Sequence, residues 1–388
     1  MPRWLRRTLV WGVLLLLVFH LGGGWYFAGV IHDRALSGEA RRASTDFDPD
    51  LEVVAVLDES NGDIPAIVLR PTESEGPATF YPVGTFGLRW EGGYARVGVT
   101  GTFDLVMGEP PSTGDLAQLD ARAYPDIDHV MLRHGYEDVV VEGPLGAYPA
   151  WFVNGPDDTW VILVHGNSMT RLDNVRYLTA LDSAGYPTLT ITYRNDAGAP
   201  EDPSGLLRYG LTEWEDLGAA VRYALDHGAA DVALLGDSMG GGVIAAFLQR
   251  SELASSASAL VFDAPMLDFS ATVDDNAARE PLVGPINLPP TLTWAAKWIA
   301  DVRYDVHWDE LDYLEDPSIF DVPTLVFHGE DDLTIPIATS EQLAELRPDT
   351  VELVRCPEAD HTECWNVDPK GTVERVVAFL DQAVGSQA

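Results

Sequence analysis

The stretch "LLGDSMGGG", residues 234–242, sets the tightest limit on how this chain can fold. An apolar run leads into it, and a second one, "VIAAFLQ", leaves it. The first reads as a buried strand and the second as a helix. Gly236 and Gly240 stand two positions before and two after a single serine, Ser238. A turn that sharp needs small residues at those positions. It strains the serine backbone and lifts the hydroxyl over the end of a sheet. The free amides of the following helix favour negative charge at the same place. The bland reading of these residues is a glycine-rich connection without chemistry.

The flanking sequence favours the strand–turn–helix reading. From about residue 136 the chain alternates the two elements. "EDVVVEG" and "AYPAWFVNG" read as an antiparallel hairpin that leads in. "TWVILVHG" is continuously apolar, as expected of a strand covered on both faces of a sheet. "NVRYLTALDSAG" fits a helix ending at glycine, and "YPTLTITYR" is the next strand. In "TEWEDLGAAVRYALDHG" the pair Thr212 and Glu215 predicts a capping box at a helix start. "DVALLG", "ASALVFDAP", "PTLVFHG" and "VELVRCP" are further strands, with helices at "TSEQLAEL" and "TVERVVAFLDQAV". Such alternation predicts a mainly parallel sheet with helices on both faces. Residues 267–316, rich in tryptophan and helix formers, interrupt the rhythm. They read either as a connecting helix pair or as a cap over a cleft.

The N-terminus is of another kind. Residues 8–31 contain no Asp, Glu, Lys or Arg. As a helix they would reach roughly 36 Å, enough for a ~30 Å hydrocarbon layer with some tilt. Arg3, Arg6 and Arg7 precede the run, so residues 1–7 are expected in the cytoplasm and the rest beyond the membrane. Trp25 and Tyr26 fall where interfacial aromatics sit. A cleaved signal peptide is the rival reading; the long apolar core and the want of an Ala-x-Ala site favour an uncleaved anchor. Gly22, Gly23 and Gly24 read as a weak point of the helix and not as a dimer face. His20 reads as a tolerated polar residue. Residues 32–50 form an expected tether, and 51–135 an expected β-rich accessory module with short strands such as "LEVVAVL" and "TFDLVM". The domain of alternating strands and helices is expected over 136–388.

Acidic residues number 61 against 24 Lys and Arg, a net charge of −37. That surface repels nucleic acid and anionic head groups and argues against a DNA or RNA partner. The two cysteines, Cys356 and Cys364, with one nearby histidine fall short of a zinc set, so no metal is expected. Outside the cytoplasm the pair can oxidise.

A serine is a weak nucleophile. It needs a base, and the base needs an orienting acid. "TLVFHGEDDLTIP" offers Glu330, Asp331 and Asp332 after one strand, and "CPEADHTECWN" offers His361 after the last. With "VILVHGNS", "LLGDSMGG" and "VFDAP", these pieces run in one order over roughly 150–384. As a set the sequence resembles the α/β-hydrolase fold enzymes of the serine hydrolase type.

The resemblance implies a Ser238–Asp332–His361 triad. Asp332 matches the family's H-G-x-x-D-x-x-V-P pattern, with Ile335 in place of Val; Asp331 and Glu330 are the alternatives. It implies an oxyanion hole of the Met239 N–H and a second N–H from the loop after "VILVHG", that of Asn167, with Ser168 as the alternative. His165 takes a structural or oxyanion-loop role, His328 shapes the acid loop, and His227 lies at a helix end. A Cys356–Cys364 disulfide would pin the histidine loop. No cofactor is implied. The expected activity is hydrolysis of an acyl ester through an acyl-enzyme. A peptidase or acyltransferase on the same fold, and a catalytically silent membrane-anchored scaffold, are the alternatives.

Overall fold

The computed structural model describes residues 2–38, 47–57, 66–72, 83–98, 103–284 and 286–385. Residues 39–46 of the expected tether, and 58–65, 73–82 and 99–102 of the expected accessory module, lie outside the described residues.

The apolar N-terminal run forms one helix, α1 (Arg3–Ile31), which passes into a π-turn over His32–Leu36. Among the described residues it is the one helix long and apolar enough to cross a membrane. The helix runs unbroken through Gly22, Gly23 and Gly24. A β-carbon on Gly23 would lie 2.9 Å from a Leu292 methyl, and one on Gly24 would lie 3.0 Å from Ile299 and 3.2 Å from Ala295, whereas Gly22 faces open space. Two of the three therefore give a close-packing surface, a role that the sequence alone does not signal. His20 is engaged too: Nδ1 lies 2.8 Å from the Leu16 carbonyl and Nε2 lies 3.0 Å from the Thr291 hydroxyl.

Next come β1 (Leu51–Leu57), β2 (Ala66–Pro71), β3 (Thr85–Trp90), β4 (Gly93–Gly98), β5 (Phe103–Gly108) and β6 (Leu116–Asp120). They make an antiparallel sheet in the order β2-β1-β6-β3-β4-β5. Its own small core holds Leu51, Val53, Leu88, Trp90, Ala95, Phe103 and Ala117. The sheet is fastened to the C-terminal part of the chain. The Asn366 amide donates to the Thr85 and Ala121 carbonyls at 2.8 Å each, and Gly84 lies so close to the Asn366 backbone that a β-carbon would overlap it at 2.2 Å.

The larger sheet begins with the hairpin β7 (Glu137–Gly143) and β8 (Gly146–Val153). Then follow β9 (Thr159–Val164), α2 (Val175–Ala184), β10 (Thr188–Ile191), α3 (Trp214–Asp226), β11 (Asp231–Asp237), α4 (Met239–Arg250) and β12 (Ala257–Asp263). The inserted segment folds into α5 (Phe269–Arg279), a short ribbon of β13 (Pro281–Val283) and β14 (Ile286–Asn287), and α6 (Pro290–Tyr304). The chain ends with β15 (Thr324–Gly329), α7 (Ala338–Leu346), β16 (Val351–Cys356), α8 (Cys364–Val367) and α9 (Pro369–Gly385). Strand order is β16-β15-β12-β11-β9-β10-β8-β7; β8 pairs antiparallel with both β10 and β7, and every other pairing is parallel.

The period of two explains the layers. Ile162 and Val164 of β9, with Leu234 of β11, face Leu217, Val221, Ile244 and Phe247 of α3 and α4. Val161, Leu163 and Leu235 face the other way, onto Tyr177, Leu178 and Leu181 of α2 and Leu380 of α9. Burying each such large side chain contributes about 1.5–3 kcal/mol. At α2 the stop is Gly185, in the left-handed region at φ 100°.

One local expectation is corrected. Thr212 and Glu215 do not cap α3, whose N-cap is Glu213. The Thr212 hydroxyl turns to Asp202, and Glu215 is drawn to Arg194. Glu213 instead accepts the N–H groups of Arg208 and Gly210. Tertiary charge has overridden the local pattern.

Candidate active site

Parallel strands point their carboxyl ends to one edge, and loops from three of them meet there. The turn after β11 carries Ser238 at φ 53° and ψ −120°, a region that costs about 1–3 kcal/mol for a non-glycine residue. Three backbone bonds hold it. The Ser238 N–H donates to the Asp263 carbonyl at 2.9 Å, and its own carbonyl accepts from Gly241 at 3.0 Å and Met266 at 2.9 Å. The two flanking glycines are sterically required. A β-carbon on Gly236 would sit 2.6 Å from Ile244 and 2.9 Å from the Gly240 backbone, and one on Gly240 would sit 2.2 Å from the Val164 carbonyl oxygen.

His361 comes from the loop after β16. Its Nε2 lies 2.9 Å from the Ser238 hydroxyl and its Nδ1 lies 2.8 Å from Asp332 Oδ2. The side chain of Asp332, on the loop after β15, is closed off from solvent. Its Oδ1 accepts the N–H groups of Thr334 at 2.7 Å and Ile335 at 2.9 Å. Burial alone would raise this carboxyl. Hydrogen bonds from His328, His361 and the Ile335 N–H outweigh it and hold the group well below the usual carboxylate range. Asp332 thus stays an anion against the imidazole. The alternative acids Glu330 and Asp331 are exposed.

The other histidines are occupied elsewhere. His165 is buried, 2.9 Å from Asp196 and stacked on Tyr193. His328 is buried against Ser340 at 2.8 Å and flanks Asp332 at 3.4 Å. His227 lies 2.7 Å from the Tyr223 carbonyl at the end of α3.

Met239 is the first residue of α4, so its N–H falls among those that no helix carbonyl satisfies. The loop after β9 passes beside the serine because residue 166 is glycine; a β-carbon there would lie 2.7 Å from the Ser238 β-carbon. Asn167 and Ser168 follow and line the cavity. The Asn167 amide donates to the Tyr209 hydroxyl at 3.1 Å and the Ala35 carbonyl at 3.4 Å. Cys356 and Cys364 are joined, with their α-carbons 5.5 Å apart, one at the end of β16 and the other at the start of α8. The bridge closes the loop that carries His361.

Ser238 and His361 open into a cavity of about 500 Å³. Phe269 and Val273 of α5 and Ala296 of α6 line it, so the inserted segment covers the site. Phe27, Val30 and Ile31 of α1 form a further wall. Nothing in residues 27–31 signals that role, because the helix is apolar throughout.

Arg176 was also invisible in the sequence. It lies on α2, wholly buried, and donates to Asp237 at 3.0 Å and to the Thr362 carbonyl at 3.0 Å. Asp263 stands 3.6 Å from the same guanidinium. Burial pushes the Asp237 and Asp263 carboxyls above their ordinary range, with Arg176 pulling the other way. Among the described residues no group of three or more His, Cys, Asp or Glu is placed to hold a metal ion.

A family model described as the alpha/beta hydrolase family matches residues 161–375. Among solved structures, an esterase of Pyrococcus furiosus is 20% identical with a TM-score of 0.51, over 64% of this chain and 92% of that one. A hyperthermophilic esterase from the archaeon Pyrobaculum calidifontis is 17% identical with a TM-score of 0.49, over 66% of this chain and 88% of that one. At 20% identity the likeness to the Pyrococcus structure is one of fold. No curated protein matches the sequence.

Proposed function

The chain belongs to the alpha/beta hydrolase family, and from that premise we propose that it is a membrane-anchored serine hydrolase that cleaves an acyl ester. The observation that carries the reading is the unbroken chain of hydrogen bonds from Ser238 through His361 to Asp332.

In this reading His361 Nε2 takes the hydroxyl proton as the Ser238 oxygen bonds to the ester carbonyl carbon. The carbonyl oxygen becomes an oxyanion, held by the N–H groups of Met239 and Asn167. Preorganised donors of this kind each account for ~10²–10³ in rate. As the oxyanion collapses, the bond to the leaving alkoxide breaks, and His361 returns the proton to it. A water then repeats the sequence on the acyl-enzyme and frees the acid. Asp332 fixes the imidazole tautomer and steadies the imidazolium; it takes no proton. The strained Ser238 backbone holds the oxygen forward through both halves.

The anchor is α1, with Arg3, Arg6 and Arg7 on the cytoplasmic side and the catalytic domain beyond the membrane. The joined cysteines agree with an oxidising compartment.

A fluorophosphonate probe tests the chemistry. The full-length protein is expected to be labelled, and Ser238→Ala is expected to lose both labelling and ester hydrolysis while keeping its fold. Substantial activity in that variant would refute the assignment. A panel of esters, amides and peptides separates esterase from peptidase.

A further inference from the structure

The helix that ends against the cavity also fixes how deep the catalytic domain sits. A ~30 Å hydrocarbon layer takes about 20 helical residues. Counted from Thr8, the first residue past Arg7, that layer ends near Phe27. Trp25 and Tyr26, both exposed, stand at this level, and the Arg303 guanidinium lies 3.9 Å from the Trp25 ring. Aromatics with a cation beside them are what the head-group boundary favours.

Yet α6 meets α1 well before that boundary. Thr291 is hydrogen-bonded to His20, and Leu292, Ala295 and Ile299 fill the space over Gly23 and Gly24. The two helices run in the same direction, with Arg303 at Trp25 and Tyr304 stacked on His32. If α1 spans the bilayer, the first turns of α6 cannot stand above it. Their outer side matches that depth. Trp294, Trp298 and Val302, one helical turn apart, are 69%, 54% and 69% exposed. The outer side of α1 is apolar as well, with Leu17 and Leu21 exposed. A net charge of −37 offers no attraction to anionic head groups, so contact with the layer must be apolar.

The cavity connects this face to the serine. Phe27, Val30 and Ile31 of α1 and Ala296 of α6 line it, and Ser238 and His361 lie in the same space. Building on the serine hydrolase reading, we propose that α6 is immersed in the leaflet on the domain's side of the membrane, and that the substrate is a lipid ester drawn from that leaflet into the cleft between α1 and α6. The acyl chain lies along the apolar wall while the ester carbonyl reaches Ser238.

The full-length chain in phosphatidylcholine vesicles carrying diacylglycerol tests both halves. Bimane on Trp294→Cys or Trp298→Cys is expected to lose fluorescence when doxyl-labelled lipid replaces plain lipid. Bimane on Lys370→Cys, at an 84% exposed side chain of α9, is expected to be unaffected. Fatty-acid release is read alongside turnover of a water-soluble butyrate ester. Trp294 and Trp298 lie outside the cavity lining. The double variant Trp294→Asp/Trp298→Asp is therefore expected to keep butyrate turnover, which also reports its folding, and to lose about tenfold or more in fatty-acid release.

Quenching at 294 and 298 no greater than at 370 would overturn the immersion. Butyrate turnover without fatty-acid release would overturn the substrate class, and unchanged release by the double variant would overturn the role of the stripe. A chain inert to both esters and to fluorophosphonate would instead refute the hydrolase reading, and this inference with it.

Discussion

Arg176 donates to Asp237, the residue before Ser238, at 3.0 Å, and neither side chain is open to solvent. Its other nitrogen reaches the Thr362 carbonyl, beside His361. One guanidinium therefore ties the serine turn to the histidine loop across two strands of the sheet. Removing it would leave Asp237 and Asp263 buried without a cation. Arg176→Met is expected to cost about 3–5 kcal/mol in denaturant unfolding, the usual penalty for breaking a buried pair. In whatever folds, kcat is expected to fall more than KM rises, since the loss is in alignment and not in the cavity wall.

The buried carboxyls give stability a pH dependence of known sign. Burial pushes the Asp263 carboxyl up to about 7, and neither of its oxygens has a hydrogen-bond partner among the described residues. A folded value above the unfolded one, about 3.9, means that the fold favours the protonated form. Its stabilising contribution is full below the unfolded value and is lost as pH rises through about 7. Asp332 has the opposite sign: it is held low, so its contribution is present above about 3.9 and lost as pH falls below that. These two groups together put the highest melting temperature near the lower limit, with a steady fall as pH rises toward about 7. Asp263→Asn should flatten the alkaline side and leave the acid side unchanged.

Two glycine substitutions should behave oppositely. Gly240→Ala would drive a β-carbon to 2.2 Å from a backbone oxygen of β9, which cannot yield, so loss of folded protein is expected. Gly218→Ala on α3 meets nothing closer than 3.9 Å and should raise stability by about 0.5–1 kcal/mol. Thermal melts of the purified variants decide both.

Reduction tests the Cys356–Cys364 bridge. Closing so short a loop is worth about 2–3 kcal/mol in the chain-entropy account. The ends it joins hold the loop bearing His361. Treatment with a phosphine reductant is expected to lower ester turnover and the melting temperature together. Cys356→Ala/Cys364→Ala should match the reduced protein.

The main sheet was legible because its central strands are apolar on both faces and two of its helices run up to glycines, at Gly185 and Gly228, signals carried by consecutive residues. Ser238 and His361 stood out because each follows a strand that feeds the same edge, whereas Asp332 was separated from its neighbours Glu330 and Asp331 only by the pattern of the family the chain resembles. Arg176 was not legible. In "NVRYL" it resembles any solvent-facing helix cation, and the two groups it donates to, Asp237 and Thr362, lie more than a hundred positions apart. The Thr212–Glu215 pair misled for the same kind of reason, since Asp202 and Arg194 compete for both side chains. Gly23 and Gly24 looked like a defect because the helix they accommodate is remote in the chain.

Asn366 lies two residues beyond Cys364, and both of its amide hydrogens are spent on carbonyls at 85 and 121. Trimming the chain to residues 136–388 would strand that amide and bare Trp365, which packs near Tyr124. The loop carrying the imidazole would then be propped from one side only. A shortened enzyme designed from this chain has to keep the small antiparallel sheet as a brace.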